Sequence, residues 1–290
     1  MNIAAQAKKA ETLRNLHRGP RTLVLPNAWD VASACVLEQM GYPAIATSSA
    51  GVAFALGYPD GQRISRDEML EVVGRIARAV RVPVTADMES GYGTTPAQMS
   101  ETAKAIVAAG AVGLNFEDVT GDTESSHVEV SLQVEKIRAL HEASAAAGVP
   151  LVINARTDVY LMPIGPEATR FERTVQRLRA YRDAGADCLF APGLVDRAVI
   201  GKLVKAVDAP LNILATQGCP SIPELEALGV RRVSMGSSVM RATLATVRRI
   251  GKELLERGTY SSAFDGTIPY PEVTELMARA ASNAVEKAHG

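Results

Sequence analysis

The chain has 290 residues, 47% of them hydrophobic and 22% charged, with a formal net charge of -1, enough apolar material for one large globular domain. Balanced charge and only 4% aromatic residues leave no basic patch interleaved with stacking rings, so nucleic acid is not an expected partner. No apolar run approaches the roughly 20 residues of a membrane span, and MNIAAQAKKAETLRNLHRG has no continuous apolar segment of a secretory signal, so no membrane partner is expected and the cytoplasm is the expected location.

In chain order, Ile3, Ala7, Ala10, Leu13 and Leu16 fall at helical intervals, which predicts an amphipathic helix that plugs a barrel bottom or packs on a neighbour. Short strand-like runs then recur near residues 22–26, 44–49, 82–87, 112–117, 150–156, 187–192, 210–215 and 231–236. Helical stretches lie between them at 31–40, 66–80, 96–109, 130–147, 168–184, 196–207, 222–228 and 239–257. Strand and helix alternating about eight times is the signature of an α/β (β/α)8 TIM barrel. Gly41, Gly110, Gly148, Gly185 and Gly229 close five of the helices just before the next strand, where a left-handed cap is expected. A last helix over 271–287, carrying Val273, Leu276, Met277 and Ala280, has no place on a closed barrel and is expected to pack on another subunit. The expected organisation is one domain over 1–290, with a barrel core at about 20–257 and an oligomerisation helix at about 268–288. A doubly wound open sheet is the other fold this alternation could build; no GxGxxG follows the first strand, which disfavours it.

Three strands become polar toward their C-terminal ends on one face only. In VTADMESGYG, Val84, Ala86 and Met88 oppose Thr85, Asp87 and Glu89; in VGLNFED, Val112, Leu114 and Phe116 oppose Gly113, Asn115 and Glu117; in LVINARTD, Leu151, Ile153 and Ala155 oppose Asn154, Arg156 and Asp158. The carboxylates of Asp87, Glu89 and Glu117 on adjacent strands repel one another and need a cation. With oxygen ligands and no Cys or His at metal spacing, Mg2+ or Mn2+ is the expected ion; hydrated acids on a barrel rim are the plainer alternative. Arg156 offers a forked cation for a carboxylate or enolate oxygen, or else a salt bridge to Asp158 or Glu117. The stretch TSSAGVAFALGYPDG, 47–61, reads as a loop whose small residues, with Ser48 and Ser49, could cradle a carboxylate. Cys35 and Cys188 are expected as buried hydrophobes, whereas Cys219 lies in a loop, ATQGCPS, that could reach the barrel mouth.

The segments LPNAWDVASA, AIATSSAGVAFALGYPDG, VTADMESGYG, LNFED, NARTD and VSMGSS, in this order over about 20–250, closely resemble the isocitrate lyase and phosphoenolpyruvate mutase superfamily, particularly its small bacterial mutase-like members. The resemblance implies a (β/α)8 barrel whose last helix is exchanged between paired subunits, usually in a dimer of dimers. It also implies Mg2+-dependent cleavage or formation of a C–C or P–C bond beside a 2-oxo acid through an enolpyruvate-like intermediate. By resemblance, Asp87 is the direct magnesium ligand, and Asp60, Glu89 and Glu117 hold the metal's waters. Ser48, Ser49 and Ala50, with Asp60 beside them, grip the substrate carboxylate, and Arg156 meets the oxo acid.

Two departures stand out. Ser49 and Glu89 replace the Gly and Asp of many relatives, and the loop after the fourth strand reads DVTGDTESSHVEVS where lyases of this kind carry a KKCGH-type segment. Ser125 falls near the place of the mutase asparagine, and His127 is the histidine available there as a proton donor to the departing enolate. The expected partner is a small carboxylate or phosphonate, and the expected chemistry is lyase- or decarboxylase-like. Phosphonomutase or phosphonopyruvate hydrolase chemistry, a non-catalytic oxo-acid-binding protein, and a phosphate-ester enzyme using SMGSS at Gly236 and Ser237 remain open.

Overall fold

The computed structural model describes residues 2–119, 127–162 and 165–289. Among these, nine parallel strands form one ring: β1 (Leu23–Leu25), β2 (Asn27–Ala28), β3 (Ile45–Thr47), β4 (Val84–Asp87), β5 (Gly113–Glu117), β6 (Val152–Arg156), β7 (Cys188–Phe190), β8 (Leu211–Leu214) and β9 (Arg232–Ser234). The ring closes through the first staircase of the chain. Pro26, without an N–H to give a ladder, splits the expected first strand, so that β1 pairs with β9 while β2 pairs with β3. This is the TIM barrel that the alternation predicted, and the open doubly wound sheet is set aside.

Helices cover the outside: α2 (Val31–Gln39), α4 (Arg66–Ala79), α5 (Pro96–Ala109), α6 (Val130–Ala146), α7 (Arg170–Asp183), α8 (Arg197–Val207) and α9 (Ile222–Ala227). The five anticipated glycines all close their helices at positive φ, between 82° and 105°, as a left-handed cap requires. The helix α1 (Ile3–Arg18), capped by the Asn2 side chain, buries Gln6, Ala10, Leu13 and His17 on one face and plugs the barrel floor. Gln6 Nε2 donates to the carbonyls of Val107 and Ala111, and Arg14 Nε to Asp187 Oδ1 at 2.7 Å. A Cβ at Gly113 would lie 3.0 Å from Leu13 and 2.8 Å from the Val152 carbonyl. The plug reaches the first residue of β5 because that residue is glycine.

Two expectations need correction. The stretch after β3 is not all loop: Ser48 caps a two-turn helix, α3 (Ser49–Ala55), its hydroxyl accepting from the Gly51 N–H at 3.1 Å. Alanines and a proper cap outweigh the glycine that suggested a loop. The last helix, α11 (Tyr270–His289), does find a place on its own barrel. It packs on α2 and α4, Asn283 Nδ2 donates to the Ala79 carbonyl at 2.7 Å, and the Lys287 ammonium donates to the carbonyls of Ala77, Arg78 and Val80 at the C-terminal end of α4. The helix that stands bare is α10 (Ser238–Arg257), where only Met240 is buried and Leu244, Val247, Leu254 and Leu255 are exposed.

Candidate active site

The alternation along the strands carries through to the barrel interior. Leu114, Phe116, Ile153 and Ala155 are buried in the layer between sheet and helices, and the opposite faces supply a polar axis. In register, Asp87 stands beside Asn115, Asn115 beside Asn154, and Glu117 beside Arg156. At the floor, Arg232 is fully buried; its Nη2 donates to Asn115 Oδ1 at 3.1 Å, and Asn154 Nδ2 donates to the same oxygen at 2.8 Å. With its oxygen taken twice, Asn115 presents its amide N–H to Asp87 Oδ1 at 3.4 Å. The His17 ring lies 3.5 Å from Arg232 Nη1, and its pKa is pushed down to about 3 by burial and then by that guanidinium. It is therefore neutral, and Arg232 remains an interior cation with no carboxylate bound to it among the described residues.

Above this floor lies a cavity of about 180 Å3 lined by Ser48, Ser49, Ala50, Asp60, Asp87 and Arg156, as expected, and also by Asn27, Asn115, Ser234, Gly236 and Ser237 and by the apolar Leu161, Phe190, Pro192 and Leu214. It opens at the C-terminal ends of the strands, where barrel chemistry is sited. Asp87 Oδ2 accepts from both the backbone N–H (3.0 Å) and the hydroxyl (2.8 Å) of Ser49. The N–H of Ser48 donates to the Ala28 carbonyl at 3.0 Å, so two amides of the anticipated carboxylate cradle already have acceptors. Arg156 meets both of its anticipated partners: Nε and Nη2 grip Asp158 at 2.5 and 2.7 Å, and Nη1 reaches Glu117 at 2.7 Å. Its guanidinium also stands 5.9 Å over the Phe190 ring, a cation–π distance.

Of the anticipated metal set, Asp87 lines the cavity, while Glu117, paired with Arg156, and the buried Glu89 do not. Glu89 Oε2 accepts from the Gln62 N–H at 2.5 Å and Oε1 from the Tyr92 hydroxyl at 3.2 Å. Gln62, Glu89 and Tyr92 all adopt positive φ, 55°, 48° and 57°. Left-handed backbone at three non-glycine residues in mutual contact is stored strain, which concentrates at functional sites. Among the described residues no three Asp, Glu, His or Cys groups are placed to hold one ion directly between them. The carboxylates nevertheless share one field. Burial first, then the charges of Asp87 and Asp60, push the Glu89 carboxyl up to about 7. Burial raises Asp60, with Asp87 adding to it, and burial also holds Glu117 well above the usual range in spite of Arg156.

His127 is placed at the base of its loop, in an antiparallel bridge with Val119, and is not among the residues lining the cavity. Burial lowers its pKa, with Asp118 opposing. Ser125, with Thr120, Asp122, Glu124 and Ser126, lies outside the described residues. Cys35 and Cys188 are buried as expected, and Cys219 packs against the core and does not line the cavity. The SMGSS turn is already satisfied: Asn27 Oδ1 accepts from the N–H groups of Met235 and Gly236 at 2.9 and 2.8 Å, which takes the donors a phosphate would use.

Fold and site together define a TIM-barrel protein with an acidic, arginine-bearing cavity at the strand ends. The phosphoenolpyruvate phosphomutase family model matches residues 13–255, and the chain belongs to that family, within the isocitrate lyase and phosphoenolpyruvate mutase superfamily. A solved structure from Burkholderia cenocepacia J2315, of the lyase/mutase group, superimposes with a TM-score of 0.88 at 38% identity, covering 95% of this chain and 97% of that one. The 2-methylisocitrate lyase of Escherichia coli is 29% identical over 80% of this chain and 79% of its own. The oxaloacetate decarboxylase of Bradyrhizobium diazoefficiens is 27% identical over 97% of this chain and 96% of its own.

Proposed function

We propose that this protein is a divalent-metal-dependent enzyme that cleaves a C–C bond next to the 2-oxo or 2-hydroxy group of a small carboxylate, passing through an enolate of a pyruvate-like acid. One observation carries this reading. Two carboxylates, Asp60 and Asp87, line a cavity where Arg156 is the lining cation among the described residues and is already held by Glu117 and Asp158, while Glu89 feels the charges of Asp87 and Asp60. An anionic substrate would be repelled from such a place unless a hard cation joined it. The all-oxygen donor set, and carboxyls raised by burial and by one another, fit Mg2+ or Mn2+. Asp87 would hold it directly, with Asp60, Glu89 and Glu117 reaching it through water. When bound, the metal would supply positive charge where the oxo oxygen turns anionic.

The chain's own groups do the rest. Arg156 has five N–H donors and gives three to Asp158 and Glu117, which leaves two for an oxygen of the substrate. In a 2-oxo acid the C3–C4 bond breaks heterolytically, C4 leaving as CO2 and the electron pair entering the enolate. In a 2-hydroxy acid the C2–C3 bond breaks as the hydroxyl gives up its proton and C2 leaves as a carbonyl. C3 then accepts a proton, for which His127 and Ser125 are the proposed sources. Decarboxylation or lyase cleavage is favoured over phosphonyl transfer because, among the described residues, no second cationic side chain lines the cavity to meet a phosphonate dianion. The three free cysteines support a reducing, cytoplasmic setting, and the bare apolar face of α10 supports a homo-oligomer.

The test is a metal-dependent screen of oxaloacetate, phosphonopyruvate, isocitrate, 2-methylisocitrate and dimethylmalate with an Asp87→Ala control. Turnover that requires Mg2+ and vanishes with Asp87→Ala is expected. No turnover of any of these, with tight oxalate binding, would instead favour an oxo-acid-binding protein.

A further inference from the structure

We propose that Ser49 is a metal-selectivity residue: its hydroxyl holds Asp87 as a one-oxygen ligand and so favours Mg2+ or Mn2+ over Ca2+ at that carboxylate. This rests on the metal reading given above and narrows it.

The Asp87 carboxylate is held on both oxygens. An ionised carboxylate offers about four acceptor sites. Oδ2 accepts from the Ser49 backbone N–H at 3.0 Å and from the Ser49 hydroxyl at 2.8 Å, and Oδ1 accepts from the Asn115 amide at a longer 3.4 Å. Among the described residues, the acceptor capacity left to Asp87 is therefore on Oδ1.

Each part of this clamp is fixed from elsewhere. The Asp87 N–H donates to Thr47 Oγ1 at 2.9 Å. Ser49 opens α3, and the start of that helix is pinned by the Ser48 N–H on the Ala28 carbonyl at 3.0 Å and by the Ser48 hydroxyl, which accepts from the Gly51 N–H at 3.1 Å. A Cβ at Gly51 would lie 3.1 Å from Trp29 Cβ, so α3 sits close against the chain that leaves β2. Asn115 has its amide orientation set, because its oxygen already accepts from Arg232 and Asn154. Ser49 and Asp87 are both buried, which leaves the hydroxyl little water to turn to.

The neighbouring acids are engaged as well. Glu117 is paired with Arg156, and Glu89 accepts on both oxygens, from Gln62 and Tyr92; Asp60 is the other acid on the lining. A metal at Asp87 thus meets few free protein oxygens and completes its shell with water and substrate. Mg2+ suits that supply, since it is octahedral at about 2.0–2.1 Å, keeps several waters and binds through one or two carboxylates. Ca2+ takes roughly six to eight oxygens and readily uses both oxygens of one carboxylate. The Ser49 hydroxyl stands on the oxygen that a two-oxygen grip would need.

Competition for bound Mn2+, read by electron paramagnetic resonance on the full chain, tests this without turnover. In wild type, Mg2+ should displace Mn2+ at concentrations at least about tenfold below those Ca2+ requires. Ser49→Ala removes the hydroxyl and keeps the N–H; it should shift the ratio of Mg2+ to Ca2+ affinity about tenfold toward Ca2+, the weight of one hydrogen bond to a charged group. Ser49→Gly should shift it likewise. A ratio separates this effect from a general loosening of the fold, which would weaken both ions alike. Wild type that binds Ca2+ as tightly as Mg2+, or hydroxyl-free variants that keep the wild-type ratio, overturns the clamp and leaves the metal reading intact. Mn2+ that fails to bind wild type, or that binds Asp87→Ala equally well, defeats the metal reading and the clamp with it.

Discussion

Arg177→Met is the substitution whose cost the structure fixes most narrowly. Asp118 is fully buried, and its carboxylate is satisfied from three directions: Arg177 Nη1 at 3.1 Å and the Tyr181 hydroxyl at 2.7 Å on Oδ2, and the Asp158 N–H at 3.1 Å on Oδ1. Arg177 also donates to the Val128 carbonyl at 2.9 Å, and the Val128 N–H donates to the Asp118 carbonyl at 2.8 Å. Methionine keeps most of the volume but leaves a buried carboxylate without its cation, which costs about 3–5 kcal/mol. Tyr181→Phe removes one neutral donor and should cost only about 1–3 kcal/mol. Asp118→Asn combined with Arg177→Met should cost less than the two single changes added together, because the stranded charge is gone. Urea unfolding followed by circular dichroism measures all three, with an unchanged denaturant slope as the check that the denatured states are alike. A loss below about 1 kcal/mol for Arg177→Met would refute the reasoning, since exposed ion pairs contribute no more than that.

Glu89, with a folded pKa of about 7 against an ordinary 4.5, makes metal-free stability depend on pH. Its contribution is fully present below about pH 4.5 and is lost as pH rises through 7, approaching about 3 kcal/mol. Thermal melts in EDTA from pH 5 to 8.5 should show that decline and Glu89→Gln should flatten it; an unaltered slope in the variant speaks against the assignment. Gly193→Ala, strained at φ +82° and in collision with Leu161, should lower stability by about 1 kcal/mol or more, read by the same melts, whereas a neutral effect would mean that the backbone at Tyr160 and Leu161 can move. Replacing Leu254 and Leu255 on the bare face of α10 by serine should shift sedimentation toward a smaller species, and unchanged sedimentation would dismiss that face as an interface. His127→Asn should slow turnover at least tenfold if His127 delivers the proton, and an unchanged rate removes it from the mechanism.

The barrel was legible because period two in the strands and glycine at the αβ turns are local signals, and both survive folding unchanged. Asp87, Arg156 and the pairing of Arg156 with Glu117 and Asp158 were legible for the same reason, since residues at strand ends point where the pleat sends them. The apolar part of the lining was not. After Asp187, the run CLFA is hydrophobic throughout, so no alternation marks Phe190 as inward, and Leu161 lies in a segment that the close passage at Gly193 brings near. Asn27 was overlooked because its partners, Met235 and Gly236, are 208 and 209 residues away. The docking of α11 turns on Asn283 and Lys287 meeting carbonyls at the end of α4, contacts that an amphipathic pattern does not disclose.

The central claim is that Asp87 holds one hard cation on which an oxo acid depends. Titration of the metal-free chain with Mn2+, followed by electron paramagnetic resonance in the presence and absence of oxalate, tests it without any assumption about turnover. One bound ion per chain, a spectrum altered by oxalate, and loss of both in Asp87→Ala are the predicted results. Equal Mn2+ binding by wild type and Asp87→Ala, or an oxalate site indifferent to the metal, would contradict the account.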